Sequence, residues 1–313
     1  MKVLITGALG HIGSHLIRTL PRKINCEIIM IDSMETQRYS SLFRLPKKFK
    51  YKFIEGDIKN INEFKNKLKK IDIVIHLAAL TDALSSVNRK SEFIKNNFNS
   101  TLKVVNFCIE NNSKLIFVSS TSIYGTQKSL VDENCSSNDL KPQSPYAISK
   151  FREENLIKEK IKKYNLKAVI LRFGTIFGTS KGMRFHTAVN KFCYQAAKGE
   201  KLTVWKTALN QKRPYLDLKD SVDAISFIIR KDIFDNEIYN VLTNNFTVKQ
   251  LISSIKKKYP NLKFKYVNSP IMNQLSYDVS NMKFKKKGFK FKGNINKGIS
   301  DTIDLIKKIN SHY

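Results

Sequence analysis

Six continuously apolar runs, KVLIT (2–6), EIIMID (27–32), YKFIEGD (51–57), DIVIHLA (72–78), KLIFVSS (114–120) and KAVILRF (167–173), punctuate the first half of the chain and a little beyond. Because these runs do not alternate with polar residues, the strands they form must be covered on both faces, which is the signature of a parallel sheet between two helical layers. Parallel neighbours require right-handed crossovers, so the pattern predicts a doubly wound parallel α/β (Rossmann) fold. Helical spacing predicts helices over 11–20, 60–69, 91–111 and 146–164, the last opened by Ser144 and Pro145 in the cap and first-turn positions. Beyond 174 the alternation loosens: helical patterns at 183–199, 220–231, 247–258 and 294–309 mix with short strands near 201–205, 238–241 and 263–267. The expected division is a dinucleotide-binding domain over 1–173 with a return segment at about 212–243, and a smaller, interleaved C-terminal lobe of 174–211 and 244–313.

TGALGHIG places Gly7, Gly10 and Gly13 between the first strand and the first helix. Glycine permits the tight turn and close backbone approach, and the helix N-terminus offers free N–H groups to a pyrophosphate. His11 and Ile12 lie in the same turn, and Asp32 ends the second strand about twenty residues on, where a carboxylate bonds ribose hydroxyls and repels a 2′-phosphate. That favours NAD over NADP. Arg38 weakens the preference, although a loop arginine is more often simply solvated. Asp57 and Ile58, and Leu77, Ala78 and Ala79 of HLAAL, fall at strand C-termini where a cofactor sits, while His76 reads as a buried, hydrogen-bonded strand residue.

With 56 Lys and Arg against 26 Asp and Glu, the formal net charge is +30. Such a surface invites a nucleic-acid reading. The excess is mostly lysine spread over helices and turns (FKNKLKK, SIKKKYP, KFKKKGFKFKG), with no aromatic-interleaved basic strip, so the expectation is a solvated surface and no nucleic-acid partner. No apolar run approaches the roughly eighteen residues of a membrane span. The chain opens directly on MKVLIT without an export-type leader, so the expected location is the cytoplasm, with no membrane partner. Cys26, Cys108, Cys135 and Cys193 are scattered without C-x-x-C pairing or histidines at ligand spacing, so neither a disulfide nor a metal site is expected.

Tyr-x-x-x-Lys occurs at Tyr124/Lys128, Tyr146/Lys150, Tyr194/Lys198, Tyr215/Lys219 and Tyr259/Lys263, so spacing alone selects nothing. Only the Tyr146 pair, in SPYAISK, follows a serine-tipped strand, SSTSIYG, behind a dinucleotide cradle. Together with NNFNST (96–101), LRFGTIFG (171–178) and KRPYLDLKDSVDA (212–224), these residues resemble the extended short-chain dehydrogenase/reductases of the NAD-dependent epimerase/dehydratase group, which act on nucleotide sugars.

The resemblance implies NAD as cofactor and Tyr146 as the acid or base, with Lys150 holding the nicotinamide ribose and lowering the tyrosine pKa and Ser120 bonding the reacting oxygen. An ammonium beside a phenol favours the phenolate, so the roles are physically coherent. Asn97 matches the family's helix asparagine, which organises the lysine; the competing reading is a helix-surface residue. Arg213 matches the arginine that meets the diphosphate, with pairing to Asp217 or Asp220 as its structural alternative. Arg184, Asn190 and Lys191 lie where the family binds the nucleotide, Thr81 is expected beside the substrate, and Thr175 stands where many relatives have asparagine. Trp205 and Phe185 read either as base-stacking or as core aromatics. Relatives that eliminate water carry Thr-Asp-Glu at the serine, whereas Thr121 and Ser122 stand here, neither a ready carbon base. The expectation is therefore a 4-epimerase working by hydride transfer at C4 through a 4-keto intermediate, with a 4-dehydrogenase or 4-ketoreductase using the same residues. A threonine-type dehydrogenase, suggested by GALGHIG, and an RNA-binding relative remain as alternatives. The resemblance also implies a homodimer formed through the helices at 91–111 and 146–164.

Overall fold

The computed structural model describes residues 1–81, 89–125, 129–267 and 276–310. Strands β1 (Lys2–Thr6), β2 (Glu27–Asp32), β3 (Tyr51–Glu55), β4 (Ile73–His76), β5 (Lys114–Ser120), β7 (Ala168–Phe173) and β11 (Ile238–Val241) form one seven-stranded sheet. Its order is β11-β7-β5-β4-β1-β2-β3 and every pairing is parallel. The chain winds outward to one side from β1 and to the other from β4, so a crevice opens between the C-terminal ends of these two strands, the place where ligands bind in open α/β sheets.

The continuous apolar runs resolve into two faces by residue parity. Val3, Ile5, Ile28, Met30, Ile73, Ile75, Ile116, Val169 and Leu171 join the core beneath α1 (His11–Lys23) and α5 (Leu218–Lys231). Leu4, Ile29, Ile31, Val74, Leu115, Phe117 and Ile170 join the opposite core, shared with α2 (Lys90–Glu110) and α3 (Pro145–Tyr164). Burial of each such side chain is worth about 1.5–3 kcal/mol, which is why these strands need no polar alternation to be stable.

α3 starts where the sequence requires: the Ser144 side chain accepts from Ala147 N, Pro145 takes the first turn, and Asn165 ends the helix in the left-handed region at φ 51°. The helix expected over 60–69 is instead a pair of tight 3-10 turns at Ile58–Lys67, broken at Asn60 (φ −99°, ψ 26°). Within it only Ile58 and Ile61 are buried, and the Asp57 carboxylate accepts from Lys59 N, a local bond that competes with α-helical registration.

The second lobe holds a three-stranded sheet of β8 (Thr175–Phe177), β10 (Lys212–Asp217) and β12 (Asn244–Thr247), with β10 central. Around it lie α4 (Ala188–Ala197), α6 (Val248–Lys256), α8 (Ile295–Asn310) and the pair β9 (Leu202–Trp205) and β13 (Phe264–Val267). β6 (Leu130–Val131) and β14 (Asp278–Val279) pair next to Tyr124, and α7 (Met282–Lys286) packs near β11. β10 pairs with β8 and β12 and so belongs to the second lobe, and the chain rejoins the large sheet through α5 and β11; the return segment expected from about 212 therefore begins at Leu218. The expected helix over 183–199 begins only at Ala188, because 183–187 run as a loop beside the crevice. No helix among the described residues is long and apolar enough to cross a membrane.

Candidate active site

A cleft of about 770 Å³ opens at the C-terminal ends of β1, β2, β4 and β5 and is closed from above by the second lobe. At its floor Gly7 has φ +64°, and a Cβ there would stand 2.7 Å from Ala78 N; one at Gly13 would stand 2.5 Å from Ala8 O. Only glycine fits at either position. α1 then begins at His11 behind Gly10, with no side-chain cap using its first-turn N–H groups, which leaves them for an anion. The second lobe reaches back onto this turn: Gly182 N donates to Ser14 Oγ at 2.9 Å, and His11 Nδ1 bonds Ser180 Oγ at 2.8 Å. His11 Nε2 is buried without a partner, and burial, reinforced by the nearby His15 and His186, pushes the ring down to a pKa of about 3. The imidazole is therefore neutral.

The Asp32 carboxylate accepts from Leu9 N (2.9 Å) and Met34 N (3.1 Å), bracing the glycine turn while it faces the cleft. Gly7, Gly10, His11, Ile12, Gly13, Asp32, Asp57, Ile58, Leu77, Ala78, Ala79 and Tyr146 all line the cleft, as do Thr81, Ser120, Thr175, Arg184, Lys191 and Arg213. Three expected residues sit behind its wall. Lys150 is 3 % exposed; Asn97 and Asn190 are fully buried.

Asn97 is no surface residue. Its side chain accepts from Leu80 N at 2.8 Å and donates to Leu80 O and Ser149 Oγ, both at 3.1 Å, so it fastens the end of β4 to the helix of Tyr146. Asn190 bonds Gly178 N and O and Arg184 O, shaping the loop that carries Arg184 instead of facing a ligand. Arg184 Nη1 donates to Thr81 Oγ1 across the cleft. Arg213 donates to Lys212 O and Gln211 Oε1 and lies over the Tyr277 ring. The Asp217 and Asp220 carboxylates are engaged elsewhere, on Lys219 N and on Thr243, Lys292 N and Gly293 N. Trp205 lines the cleft, whereas Phe185 packs on Tyr194 at a tilt, with 4.8 Å between ring centres.

Ser120 ends β5, and its hydroxyl accepts from Ser122 N at 3.1 Å. Tyr146 faces it from the first turn of α3. Burial raises the phenol's pKa, and the Lys150 charge and the Ser120 hydrogen bond act against that rise. Lys150 Nζ is 3.1 Å from Glu153 Oε2 and lies over the Phe117 ring. Of the other tyrosine–lysine pairs, Tyr124 donates within a buried cluster, Tyr194 packs on Phe185, and burial lifts Tyr215 to about 12; Lys128 lies outside the described residues. The sequence did not single out the buried ion pair Arg172–Glu154 (2.7 Å), whose Glu154 Oε1 accepts from Ser119 at 2.6 Å and whose Arg172 Nη1 donates to Tyr124 at 2.7 Å. It fixes α3 to the strand end that carries Ser120. An arginine inside the apolar run of β7 was the available signal.

Residues 3–241 match the NAD-dependent epimerase/dehydratase family. The chain belongs to that family. A dTDP-D-glucose 4,6-dehydratase of Homo sapiens is 31% identical, the match covering 98% of this chain and 90% of the human protein. One of Dictyostelium discoideum is 32% identical over 83% of this chain, which spans only 62% of that relative's length. Among solved structures, a UDP-glucuronic acid 4-epimerase of Bacillus cereus in complex with UDP-glucuronic acid and NAD shares the fold, with a TM-score of 0.83 at 24% identity, covering 99% of this chain and 100% of the other. Membership makes NAD the cofactor, and the cradle fits it: glycines that tolerate no Cβ, unspent helix N–H groups and an acidic residue at the end of β2.

Proposed function

We propose that the protein is a nucleotide-sugar epimerase that inverts C4 by hydride transfer through a 4-keto intermediate. The observation that carries this reading is the distribution of acids along the cleft. Asp32, Glu35 and Asp57 are its only carboxylates among the described residues, and all lie beyond β2 and β3, away from Ser120 and Tyr146. Elimination of water requires a carbon base and an acid for the departing hydroxide, and beside Ser120 stand only Thr121, whose hydroxyl is bonded to Phe173 O, and Ser122.

Bound NAD supplies a reversible hydride acceptor. Tyr146 takes the proton from the C4 hydroxyl and later returns it, Ser120 holds that oxygen, and Lys150 steadies the phenolate. In this reading residues 1–173 with α5 and β11 hold NAD. The lobe of 174–211 and 244–313, together with β10, holds the nucleotide diphosphate, through Arg213 of β10, whose planar fork suits phosphate oxygens, and through Arg184 and Lys191. Thr81 faces the sugar, and Thr175 lines the cleft toward the phosphates. Two chains associate through the outward faces of α2 and α3, where Ile94 and Phe98 are partly exposed beside Lys95 and Arg152. The enzyme acts in the cytoplasm on a small anionic substrate, with its lysine-rich surface free of nucleic acid.

The test is proton NMR of the purified protein with NAD and UDP-, GDP-, CDP- and dTDP-sugars in D₂O. Inversion at C4 without deuterium in the sugar is the expected result. Deuterium at C3, C5 or C6 would show a carbon acid being deprotonated and would remove the 4-epimerase reading. Accumulation of a 4-keto sugar would replace it with a dehydrogenase.

A further inference from the structure

Glu153 is fully buried one turn from the catalytic lysine, and the mechanism above gives it nothing to do. Lys150 Nζ meets its Oε2 at 3.1 Å, and Thr101 Oγ1, from α2, meets the same oxygen at 2.7 Å. Oε1 is buried without a partner. The donors can be followed back into the cofactor cradle. Leu77 N and Ala78 N donate to Thr6 Oγ1 at 3.3 and 3.2 Å, which leaves the Thr6 proton for His76 Nδ1 at 2.7 Å. His76 then carries its own proton on Nε2, directed at Thr101 Oγ1 at 3.1 Å, and the Thr101 proton points at Glu153. Every bond in this chain runs toward Oε2. An ammonium and a hydroxyl both donating to one oxygen is the environment of a carboxylate.

We infer that Glu153 is a positioning residue for the Tyr146–Lys150 pair: it ties the ammonium to the His76–Thr101 chain and offsets the charge through which Lys150 acts on the phenol. Without Glu153, Lys150 would stand as an uncompensated cation beside Tyr146 and favour its ionisation at lower pH. With it, the buried pair is close to neutral, and the proton stays on Tyr146 until a further positive charge enters the cleft. The groups facing Tyr146 are few: Lys150 and Glu153 from its own helix, Ser120 from β5, and Arg184 from the second lobe; Glu153 raises the phenol's pKa while the other three lower it. Glu153 itself is faced by Lys150 and Thr101. His76, next along the chain, is held neutral by burial and by Lys150.

This inference rests on Tyr146 being the acid–base group, and its test needs no substrate, so it stands or falls separately from the C4 chemistry. Tyrosine Cζ is isotope-labelled, the Tyr146 resonance is assigned by its loss in Tyr146→Phe, and its titration is followed in the cofactor-free chain. Glu153→Gln should lower the Tyr146 midpoint by about one pH unit, while Glu153→Asp, which keeps the charge, should hold it near the wild-type value. An unchanged or raised midpoint in Glu153→Gln would overturn the inference. Because a lone buried ammonium can prevent folding, Lys150→Met/Glu153→Gln, which removes both charges, is the second variant. Its midpoint should lie within about half a unit of wild type. A rise as large as that of Lys150→Met alone would mean that Glu153 is silent, and would equally overturn the proposal.

Discussion

Replacing Arg172 with leucine should be among the most damaging single changes in the chain, although Arg172 touches no ligand-facing surface. Its guanidinium and the Glu154 carboxylate are 2.7 Å apart, with side chains 2% and 0% exposed. Three bonds from Arg172 and one from Ser119 saturate that carboxylate, and Arg172 Nη1 also anchors the Tyr124 hydroxyl. Arg172→Leu leaves a buried carboxylate with Ser119 as its remaining donor, a change that costs about 3–5 kcal/mol when one member of a buried ion pair is removed. At about 2–4 °C per kcal/mol the melting temperature should fall by roughly 10 °C. The double variant Arg172→Leu/Glu154→Leu should recover most of this loss, since no charge is left in the core. The Ser119 hydroxyl would still lose its Glu154 partner, at about 1 kcal/mol, while the Tyr124 hydroxyl keeps Asp132 O and Asn240 Oδ1. Urea unfolding of the four proteins in the cycle reads the coupling directly. A cost below about 1 kcal/mol for Arg172→Leu, or a double variant that loses the sum of the two single losses, would refute a coupled buried ion pair.

Three further outcomes are expected. Tyr146→Phe should reduce turnover at least about 100-fold, the scale of a lost acid–base group, while calorimetry finds NAD affinity nearly unchanged. Gly7→Ala forces a Cβ to 2.7 Å from Ala78 N at a positive φ, so NAD binding should weaken by at least about tenfold in the same titration, with the strain contributing on the order of 1 kcal/mol or more. His76 is held at a pKa of about 3, chiefly by burial, against 6.5 as its ordinary value. Its folded-state pKa is depressed, so its contribution to stability is complete above 6.5 and is lost as pH falls from 6.5 toward 3, by up to about 1.4 kcal/mol per pH unit. Unfolding midpoints at successive pH values, with the His76 ring signals remaining neutral at about pH 5, check both halves of that statement.

The parts of this molecule that can be read from the sequence are those governed by local rules. A strand buried on both faces must be apolar at every position, a turn at φ +64° against a backbone nitrogen must be glycine, and a helix after a parallel strand is announced by Ser144 and Pro145. The pair β9 and β13 falls where short strands are expected, but β8, β10 and β12 escape because TIF, KRPYLD and NNFT carry polar residues and a proline and hold no sustained pattern, and become strands only through distant partners such as Tyr215 with Thr175. The buried polar residues escape for a related reason. Glu153 sits in FREEN, where two adjacent acids followed by lysines suggest a solvated face, and Asn97 sits in NNFNS, where one asparagine looks like another. What separates Glu153 from Glu159, or Asn97 from Asn96, is the contact of α2 with α3. That contact brings Thr101 to Glu153 and Asn97 to Ser149 across 52 residues of sequence in each case. A polar group can enter a core only with its partner already in place. Such residues therefore become visible only once two helices are docked, and they cluster behind Tyr146 because the lysine that serves it is itself a buried charge that must be matched.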